Sequence, residues 1–167
     1  QLEDLSQLIE RNQSFWRHTP TVIPVRSRAL SDRYGMRKDP FTKKREYHAG
    51  IDFRAKRGTP VHAPADGTVR IADRKLGFGL LVELQHGRGF FPGKKNSVRY
   101  RTRFAHLSKI KVRRGQKIKR GDLLGLVGST GRSTGPHLHY EIIINGRRTN
   151  PLFPISRFNP DQRLYRN

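Results

Sequence analysis

The spacing of apolar residues changes near residue 20 of the chain. Before that point, apolar residues recur every three or four positions with charged residues between them, and they are Leu2, Leu5, Leu8 and Ile9. This spacing predicts one amphipathic helix. Proline disfavours helix at its own position and at the preceding one, so Pro20 and Pro24 predict a helix end near Phe15 and Trp16. We interpret residues 1–19 as a helical arm and linker whose leucine stripe serves packing or dimerisation.

Beyond residue 20 the period of the pattern becomes two. Short runs alternate between apolar and polar residues, and turns such as Asp66-Gly67 and Arg120-Gly121 separate them. The alternating runs are residues 67–72, 80–84, 98–104, 123–127 and 139–144. Many short strands at regular spacing predict a mainly β fold built on an antiparallel sheet. We expect this domain to span residues 20–155 without a second helix, and residues 156–167 to form a basic tail that wraps or frays.

One glycine-rich and charged stretch interrupts the alternation. Residues 87–99 contain Phe90, Phe91, Pro92 and Gly93, followed by two lysines. This composition is too irregular for a continuous strand. We interpret the whole stretch as a long hairpin loop.

The amino-acid composition limits the size of the core, the possible metal ligands and the possible membrane segments. A chain of 167 residues can form one domain with a sizeable core. Cysteine is absent, so disulfides are excluded and any metal site uses His, Asp or Glu. No apolar run reaches the ~18 to 20 residues that cross a bilayer, and no secretory signal is visible.

The charge is strongly positive. Lys and Arg number 35 against 13 Asp and Glu, which gives a formal net charge of +22. Such a field accelerates encounters with any polyanion, so nucleic acid, anionic lipid and acidic cell-wall polymers are equal candidates on this ground. Charge alone does not choose among these partners.

Two histidines lie close together on the last predicted strand. Alternate residues of a strand share a face and lie roughly 6 to 7 Å apart, so His137 and His139 point in the same direction. Side-by-side imidazoles are poor core material and favour a metal site or an acid–base site.

Three further residues are candidate partners for this pair. His48 and Asp52 are separated by four positions with a glycine between them, and His106 follows an aromatic and basic run. Imidazole nitrogen and carboxylate oxygen are ligands that zinc accepts, and a catalytic zinc takes three protein ligands and one water. His48, Asp52 and one histidine of the pair would complete that set. The two remaining histidines are then free for proton transfer.

A family resemblance rests on six segments in a fixed order. They are His48-Ala49-Gly50-Ile51-Asp52-Phe53, Gly58-Thr59-Pro60-Val61, Asp66-Gly67-Thr68-Val69, Ala105-His106-Leu107-Ser108, Gly115-Gln116-Lys117-Ile118 and Gly128-Ser129-Thr130-Gly131-Arg132-Ser133-Thr134-Gly135-Pro136-His137-Leu138-His139-Tyr140-Glu141. Together they resemble the lysostaphin and LytM type of zinc metallopeptidase, over residues 31–151.

The resemblance implies a fold, a reaction and a site. The fold is an antiparallel β structure with a substrate groove, and the reaction is hydrolysis of peptide bonds in bacterial peptidoglycan. The matching motifs place the ligands of one Zn²⁺ at His48, Asp52 and His139. They place the catalytic pair at His106 and His137, without saying which of the two is the base.

Location and partners follow from the same resemblance. It implies a cell-envelope location, periplasmic or secreted, and allows a membrane anchor in a segment outside this chain. Peptidoglycan is the implied substrate, anionic wall or outer-membrane polymers are further candidates, and residues 1–19 are a candidate for self-association or a regulatory contact. No specific nucleic acid is expected. We also hypothesise that residues 87–99, which carry Lys94 and Lys95, form a basic wall of the groove that recognises an acidic stem peptide.

Two other functions compete with this interpretation. A non-cleaving activator or binding module for another wall enzyme would not need the intact set of five metal-binding and catalytic residues. A nucleic-acid binder would explain the charge and the basic and aromatic run at residues 99–104, but not that set.

The remaining polar candidates have simpler interpretations. Glu141 shares a face with His139, so it either hydrogen-bonds to that ring or pairs with the many arginines. His18, His62 and His86 lack such neighbours in the sequence, and we assign them structural or surface roles.

Overall fold

The computed structural model describes residues 4–27, 29–91 and 93–158, and for residues 156–158 the backbone only. Its elements in chain order are α1 (Leu5–His18), β1 (Leu30–Asp32), β2 (Gly35–Lys38), β3 (Arg45–His48), β4 (Ile51–Arg54), β5 (Pro60–His62), β6 (Gly67–Lys75), β7 (Gly79–Gly89), β8 (Val98–Leu107), β9 (Lys109–Ile110), β10 (Lys117–Ile118), β11 (Leu123–Leu126), β12 (His137–Ile144), β13 (Arg147–Thr149) and α2 (Leu152–Phe158). Each predicted alternating run coincides with one of these strands to within a few residues.

Helix α1 extends two residues beyond its predicted end. Thr19, which precedes Pro20, is extended with φ −91° and ψ 118°, as the residue before a proline prefers. The effect of Pro20 therefore reaches back only one residue. The Thr19 hydroxyl donates to the Phe15 carbonyl at 2.7 Å and closes the last turn. At the other end the Asp4 carboxylate accepts from the Ser6 N–H at 3.3 Å and caps the helix.

The C-terminal end of α1 packs on the connection between β7 and β8. The Phe15 ring meets the Phe90 ring edge-on at 5.0 Å, and the Trp16 ring lies 5.3 Å from it. The Phe90 N–H also donates to the Thr19 hydroxyl at 2.9 Å. The arm is thus attached to the β domain through aromatic contacts and not through the leucine stripe, of which Leu5 and Ile9 are exposed. Its role in dimerisation stays a prediction.

The strands form one large antiparallel sheet and two small ones. The large sheet has the order β1-β4-β12-β8-β7-β6-β10, and β13 pairs with the distal part of β12. The small sheets are β5-β11-β9 and β2-β3. All of these pairings are antiparallel, so the predicted mainly β, antiparallel fold is confirmed.

The core lies on one face of the large sheet. Leu138 and Tyr140 of β12 and Phe104 of β8 are fully buried there. The sheet β5-β11-β9 contributes Val61 and Leu124 to the same cluster. The opposite face carries the polar residues of these strands. An apolar face and a polar face on one sheet explain why the sequence alternates with a period of two.

The interpretation of residues 87–99 as one long loop is wrong. Strands β7 and β8 remain paired as far as Gly89 and Val98, so the connection is residues 90–97. Gly87 has φ 83° and accompanies a shift of register. A bulge of this kind absorbs one irregular residue and lets the pairing continue, so the glycine that suggested a loop instead preserves the strand.

The prediction that the chain has no second helix is also wrong. Helix α2 begins after the Asn150 carboxamide accepts from the Leu152 N–H at 3.1 Å, and it buries Ile155 completely in the core. A helix of seven residues is too short to show a helical period in the sequence. Residues 159–167 of the predicted tail lie outside the described residues.

Candidate active site

Sheet register brings together the residues that we call the metal cluster, namely His48, Asp52 and His139. In the pairing of β12 with β4, His139 lies directly opposite Asp52, and directly opposed residues of an antiparallel pair share a face. His48 ends β3, and the turn to β4 needs Gly50, because a Cβ there would lie 2.4 Å from the Tyr140 carbonyl oxygen. All three members of the cluster are buried.

The donor atoms of the metal cluster converge on one point. The Nδ1 atom of His139 lies 2.8 Å from Asp52 Oδ1 and 3.2 Å from His48 Nε2. The separation between His48 Nε2 and Asp52 Oδ1 is 3.3 Å. One ligand atom from each residue lies within 4.8 Å of the others, so the cluster could hold one metal ion.

The outer nitrogens of the two cluster histidines fix which ring atoms face inward. Nδ1 of His48 lies 2.7 Å from the Arg33 carbonyl, and Nε2 of His139 lies 3.0 Å from the Glu141 carboxylate. Both oxygens only accept hydrogen bonds, so both of these nitrogens donate. Nε2 of His48, Nδ1 of His139 and Asp52 Oδ1 are therefore the atoms that face one another inside the cluster. Two imidazoles and one carboxylate suit zinc, which would displace the proton that His139 Nδ1 shares with Asp52.

Carboxylates dominate the electrostatics of the metal cluster. Burial by itself lowers the pKa of His139, but its hydrogen bonds to Asp52 and Glu141 raise that pKa to about 9. Burial by itself raises the pKa of Asp52, yet the hydrogen bonds from His139 and His48 hold it well below its usual range. Asp52 is consequently ionised at every physiological pH, which a metal ligand requires.

A second group, the histidine pair His106 and His137, lies beside the metal cluster. Its ring centroids are 4.8 Å apart, and that of His106 is 5.8 Å from His139. Nδ1 of His106 donates to the Thr130 carbonyl at 2.7 Å, and Nδ1 of His137 donates to the Gly135 carbonyl at 2.8 Å. In the neutral form of either ring, Nε2 is the nitrogen left as a proton acceptor.

Backbone conformation, and not strand alternation, orients His106. Ala105 lies opposite His139 and shares its face, so alternation would place His106 on the core side with Phe104. Instead His106 has φ 60°, a left-handed conformation that few non-glycine residues adopt. This conformation directs its ring toward His137. Burial lowers the pKa of His106 to about 4; the hydrogen bond to the Thr130 carbonyl opposes this change, and the neighbouring His137 and His139 add smaller decreases.

Both groups open into a groove of about 480 Å³ between two walls. One wall is the β2–β3 hairpin and the other is the segment that precedes β12. The Arg132 guanidinium of the second wall pairs with Asp39 of the hairpin and lies 4.5 Å from the Phe41 ring centroid. The two walls are thus connected across the site.

The hypothesis that residues 87–99 form a basic wall is wrong. None of them is among the described residues that line the groove. The connection at residues 90–97 lies at the far end of the β7–β8 hairpin from His106, where α1 covers it. The groove has other cations, which the sequence did not indicate. They are Arg37, Arg54, Arg132 and Arg148.

One of these cations contacts the metal cluster itself. The Arg37 guanidinium donates to Glu46 at 2.8 Å, pairs with Asp32 and lies 3.5 Å from Asp52 Oδ2. Strand β2 places it there through its pairing with β3. No pattern in the sequence distinguishes Arg37 from the many other arginines.

The other histidines and Glu141 can now be placed. His86 is buried, with Nδ1 at 2.8 Å from the Asp66 carbonyl and Nε2 at 2.7 Å from the Thr102 hydroxyl. His18 approaches the same Asp66 carbonyl at 3.4 Å, so both agree with a structural role. Glu141 fulfils both of its predicted alternatives, because it accepts from His139 and also pairs with arginines.

An open groove on a β-sheet, with three candidate metal donors beside two further histidines, is a site of the metallopeptidase type. Residues 46–151 match the model of peptidase family M23, and the chain belongs to this family. The resemblance to lysostaphin-type enzymes is thereby confirmed.

Three similar proteins have instructive names. The peptidoglycan DD-endopeptidase ShyA of Vibrio cholerae is 43% identical over 131 residues, which are 77% of this chain and 28% of that protein. The structure of a zinc-containing peptidase from Vibrio cholerae is 33% identical with a TM-score of 0.58, over 80% of this chain and 40% of that one. The catalytic domain of lysostaphin from Staphylococcus simulans is 30% identical with a TM-score of 0.61, over 74% of this chain and 88% of that one.

The extent of these matches is uneven. The chain spans about a quarter of the length of the curated relatives it matches, from 22% to 28%. It covers most of the lysostaphin catalytic domain. Neither described helix has the length and apolar character that a membrane crossing requires.

Proposed function

We propose that this chain is a zinc endopeptidase domain that hydrolyses stem or cross-linking peptides of bacterial peptidoglycan. The observation that carries the proposal is the meeting of His48 Nε2, Asp52 Oδ1 and His139 Nδ1 next to two histidines whose Nε2 atoms accept protons. Membership of family M23 and a relative named as a peptidoglycan DD-endopeptidase support the substrate class.

The metal cluster would hold one zinc ion through His48, Asp52 and His139. Bound zinc would lower the pKa of its water to about 7, and the zinc would also polarise a substrate carbonyl. Glu141 and the Arg33 carbonyl hold the outer N–H groups of His139 and His48, so the inward-facing nitrogens are the ones that would bind the metal. Metal binding would displace the remaining proton from His139 Nδ1.

The histidine pair would move the proton. Its two Nδ1–H groups are anchored on the Thr130 and Gly135 carbonyls, so proton transfer takes place at Nε2. One ring accepts the proton of the attacking water and then donates it to the amine that leaves. The centroid of the other ring lies 4.8 Å away, and this ring positions the water or the scissile carbonyl. His106 and His137 thus divide two tasks that the metal donors cannot perform.

We place the activity outside the cytoplasm, in the periplasm or after secretion, because peptidoglycan lies there. The net charge of +22 fits this assignment, since it accelerates encounter with an acidic polymer. The connected walls of the groove fit an extended peptide that passes beneath the contact between Arg132 and Asp39.

Bound zinc and peptidoglycan cleavage together test the proposal. Wild-type protein is expected to contain about one zinc per chain and to release soluble peptides from purified peptidoglycan. Asp52→Asn keeps the shape of the side chain but removes its charge, so both zinc and cleavage are expected to be lost. Asp73→Asn is the matched control, because Asp73 is exposed and is not among the described residues that line the groove. A chelator should abolish the activity of the wild type, and added zinc should restore it.

Other results would identify the competing functions. A protein that leaves peptidoglycan intact but increases the cleavage rate of another wall hydrolase is an activator. Salt-dependent DNA binding without cleavage of wall material identifies a nucleic-acid binder, since counterion release makes such binding fall steeply with salt.

A further inference from the structure

A row of arginines lies beyond the groove, on the polar face of the large sheet and at the end of the β12–β13 hairpin, where Arg147 lines a cavity although it pairs with Ile144 of the core side. They come from β6, β7, β8 and the end of the β12–β13 hairpin, and we call them the arginine track: Arg70, Arg88, Arg99, Arg101, Arg103, Arg147 and Arg148. Arg88 and Arg99 lie directly opposite each other across β7 and β8. Like charges in this position destabilise a sheet, so their juxtaposition calls for a compensating anion.

The arginine track is continuous with the groove. Arg148 lines both the groove and an adjoining cavity of about 370 Å³. That cavity shares Arg101 and Gly146 with a further cavity of about 520 Å³, which ends at Arg88 and Arg99. Arg99 and His106 are seven residues apart on β8, a span of about 23 Å. A ligand that follows the track into the site is therefore a polymer.

Two buried carboxylates organise part of the track without neutralising it. Glu83 is fully buried and contacts Arg70 at 2.6 Å, Arg103 at 2.6 Å and Arg101 at 3.2 Å. Glu141 lies 3.3 Å from Arg103 and 3.4 Å from Arg148, while its other oxygen holds His139. Guanidinium groups fixed in this way are ready to bind an anion at low entropic cost.

The remaining three arginines have no acidic partner in the described part of the chain. Among the described residues, no carboxylate lies within 4 Å of the guanidinium groups of Arg88, Arg99 and Arg147, although Arg88 donates to the Ser97 hydroxyl. All three are exposed. Their charge is therefore available to a ligand.

We propose that the arginine track binds carboxylates of the polymeric substrate at positions remote from the bond that is cut. This inference rests on the proposed function and deepens it. Guanidinium forks match carboxylates in geometry, and the stem peptides of peptidoglycan carry carboxylates at regular intervals. The one aromatic residue that lines the track in the described structure, Tyr100, is fully buried, so the track lacks the exposed stacking surfaces that single-stranded nucleic acids use.

Two triple variants test the track. Arg88→Gln, Arg99→Gln and Arg147→Gln together remove its three unpaired charges without touching Glu83 or Glu141. Lys111→Gln, Arg113→Gln and Arg114→Gln remove three exposed charges outside the track and are the matched control. Both are compared with wild type on intact peptidoglycan and on a short soluble peptide substrate, after thermal unfolding has confirmed that both fold. The track variant is expected to need about tenfold more peptidoglycan for half-maximal rate, with the short-peptide rate unchanged.

Three other outcomes overturn the proposal. An equal loss in both triple variants means that general charge attracts the polymer, and unchanged kinetics of the track variant mean that the arginines bind nothing. A loss confined to binding of duplex DNA means that the track serves nucleic acid. If wild type cleaves no substrate, the proposed function fails, and sedimentation of Asp52→Asn with peptidoglycan, with and without the three track substitutions, still tests the track.

Discussion

The metal cluster and the histidine pair meet in one groove, and they differ in what lies behind each imidazole. His139 of the metal cluster has a carboxylate on both sides, Asp52 at Nδ1 and Glu141 at Nε2. In the pair, His106 and His137, each Nδ1 donates to a main-chain carbonyl, and the Ser133 hydroxyl also lies 3.2 Å from Nδ1 of His137. His137 and His139 are two residues apart on β12, so their surroundings and not their positions in the sequence separate their roles.

The difference shows how one side chain is adapted to two tasks. Carboxylates overcome the effect of burial and raise the pKa of His139 to about 9. Burial shifts the pKa of a ring without a carboxylate partner in the opposite direction, and the pKa of His106 falls to about 4. The first environment attracts a cation, and the second keeps a neutral ring with a free Nε2. Three substitutions test this contrast.

Substitutions in the histidine pair should have the largest effect that leaves the metal in place. His106→Ala and His137→Ala are each expected to lower kcat by about 10²- to 10⁴-fold, the usual contribution of acid–base catalysis. Bound zinc should remain near one per chain in both variants, since neither residue belongs to the metal cluster. Zinc content and peptidoglycan cleavage are measured on the same preparations. Loss of zinc from either variant would contradict the division between the two groups.

The carboxylate behind His139 should have a smaller effect. Glu141→Gln keeps an oxygen that can accept from Nε2 but removes the negative charge. Zinc affinity, measured by competition with a chelator, is expected to fall by about 10- to 100-fold. Glu46→Gln is the control, because Glu46 lines the same groove but contacts Arg37. Equal losses in the two variants would show that the total charge of the groove matters and the position of the charge behind His139 does not.

His86 provides the comparison with a histidine outside the groove. Burial lowers its pKa from 6.5 to about 4, so between these values the unfolded chain binds a proton that the folded chain does not. Stability therefore rises with pH across this window and is lost as the pH falls. We expect His86 to account for a decrease on the order of 3 kcal/mol in the free energy of unfolding between pH 7 and pH 4.

Urea unfolding of wild type and His86→Gln at the two pH values, with a chelator present throughout, measures that contribution. The variant should be less stable at pH 7 and should lose less stability on acidification. A variant with the pH dependence of the wild type would show that His86 titrates normally in the folded protein.

Patterns among neighbouring residues predicted the strands and the candidate metal donors. Alternation located the strands and placed His137 and His139 on one face, because a strand has a period of two. The side-chain types of His48 and Asp52 made them candidate zinc ligands, since zinc accepts nitrogen and oxygen ligands. The bulge at Gly87 and the short helix α2 were missed, because a single glycine or seven residues do not reveal whether neighbouring strands and the core will accept them.

The sequence by itself determined the strands, the donor types and, through its family motifs, the candidate ligands His48, Asp52 and His139. Tertiary structure decided the rest: the left-handed turn that directs His106 into the groove, the Arg33 carbonyl behind His48, and the arginines of four strands that line up into one track. The physical reason is that register and backbone conformation bring together residues that are remote in the chain. A residue's neighbours in the sequence carry no information about such contacts.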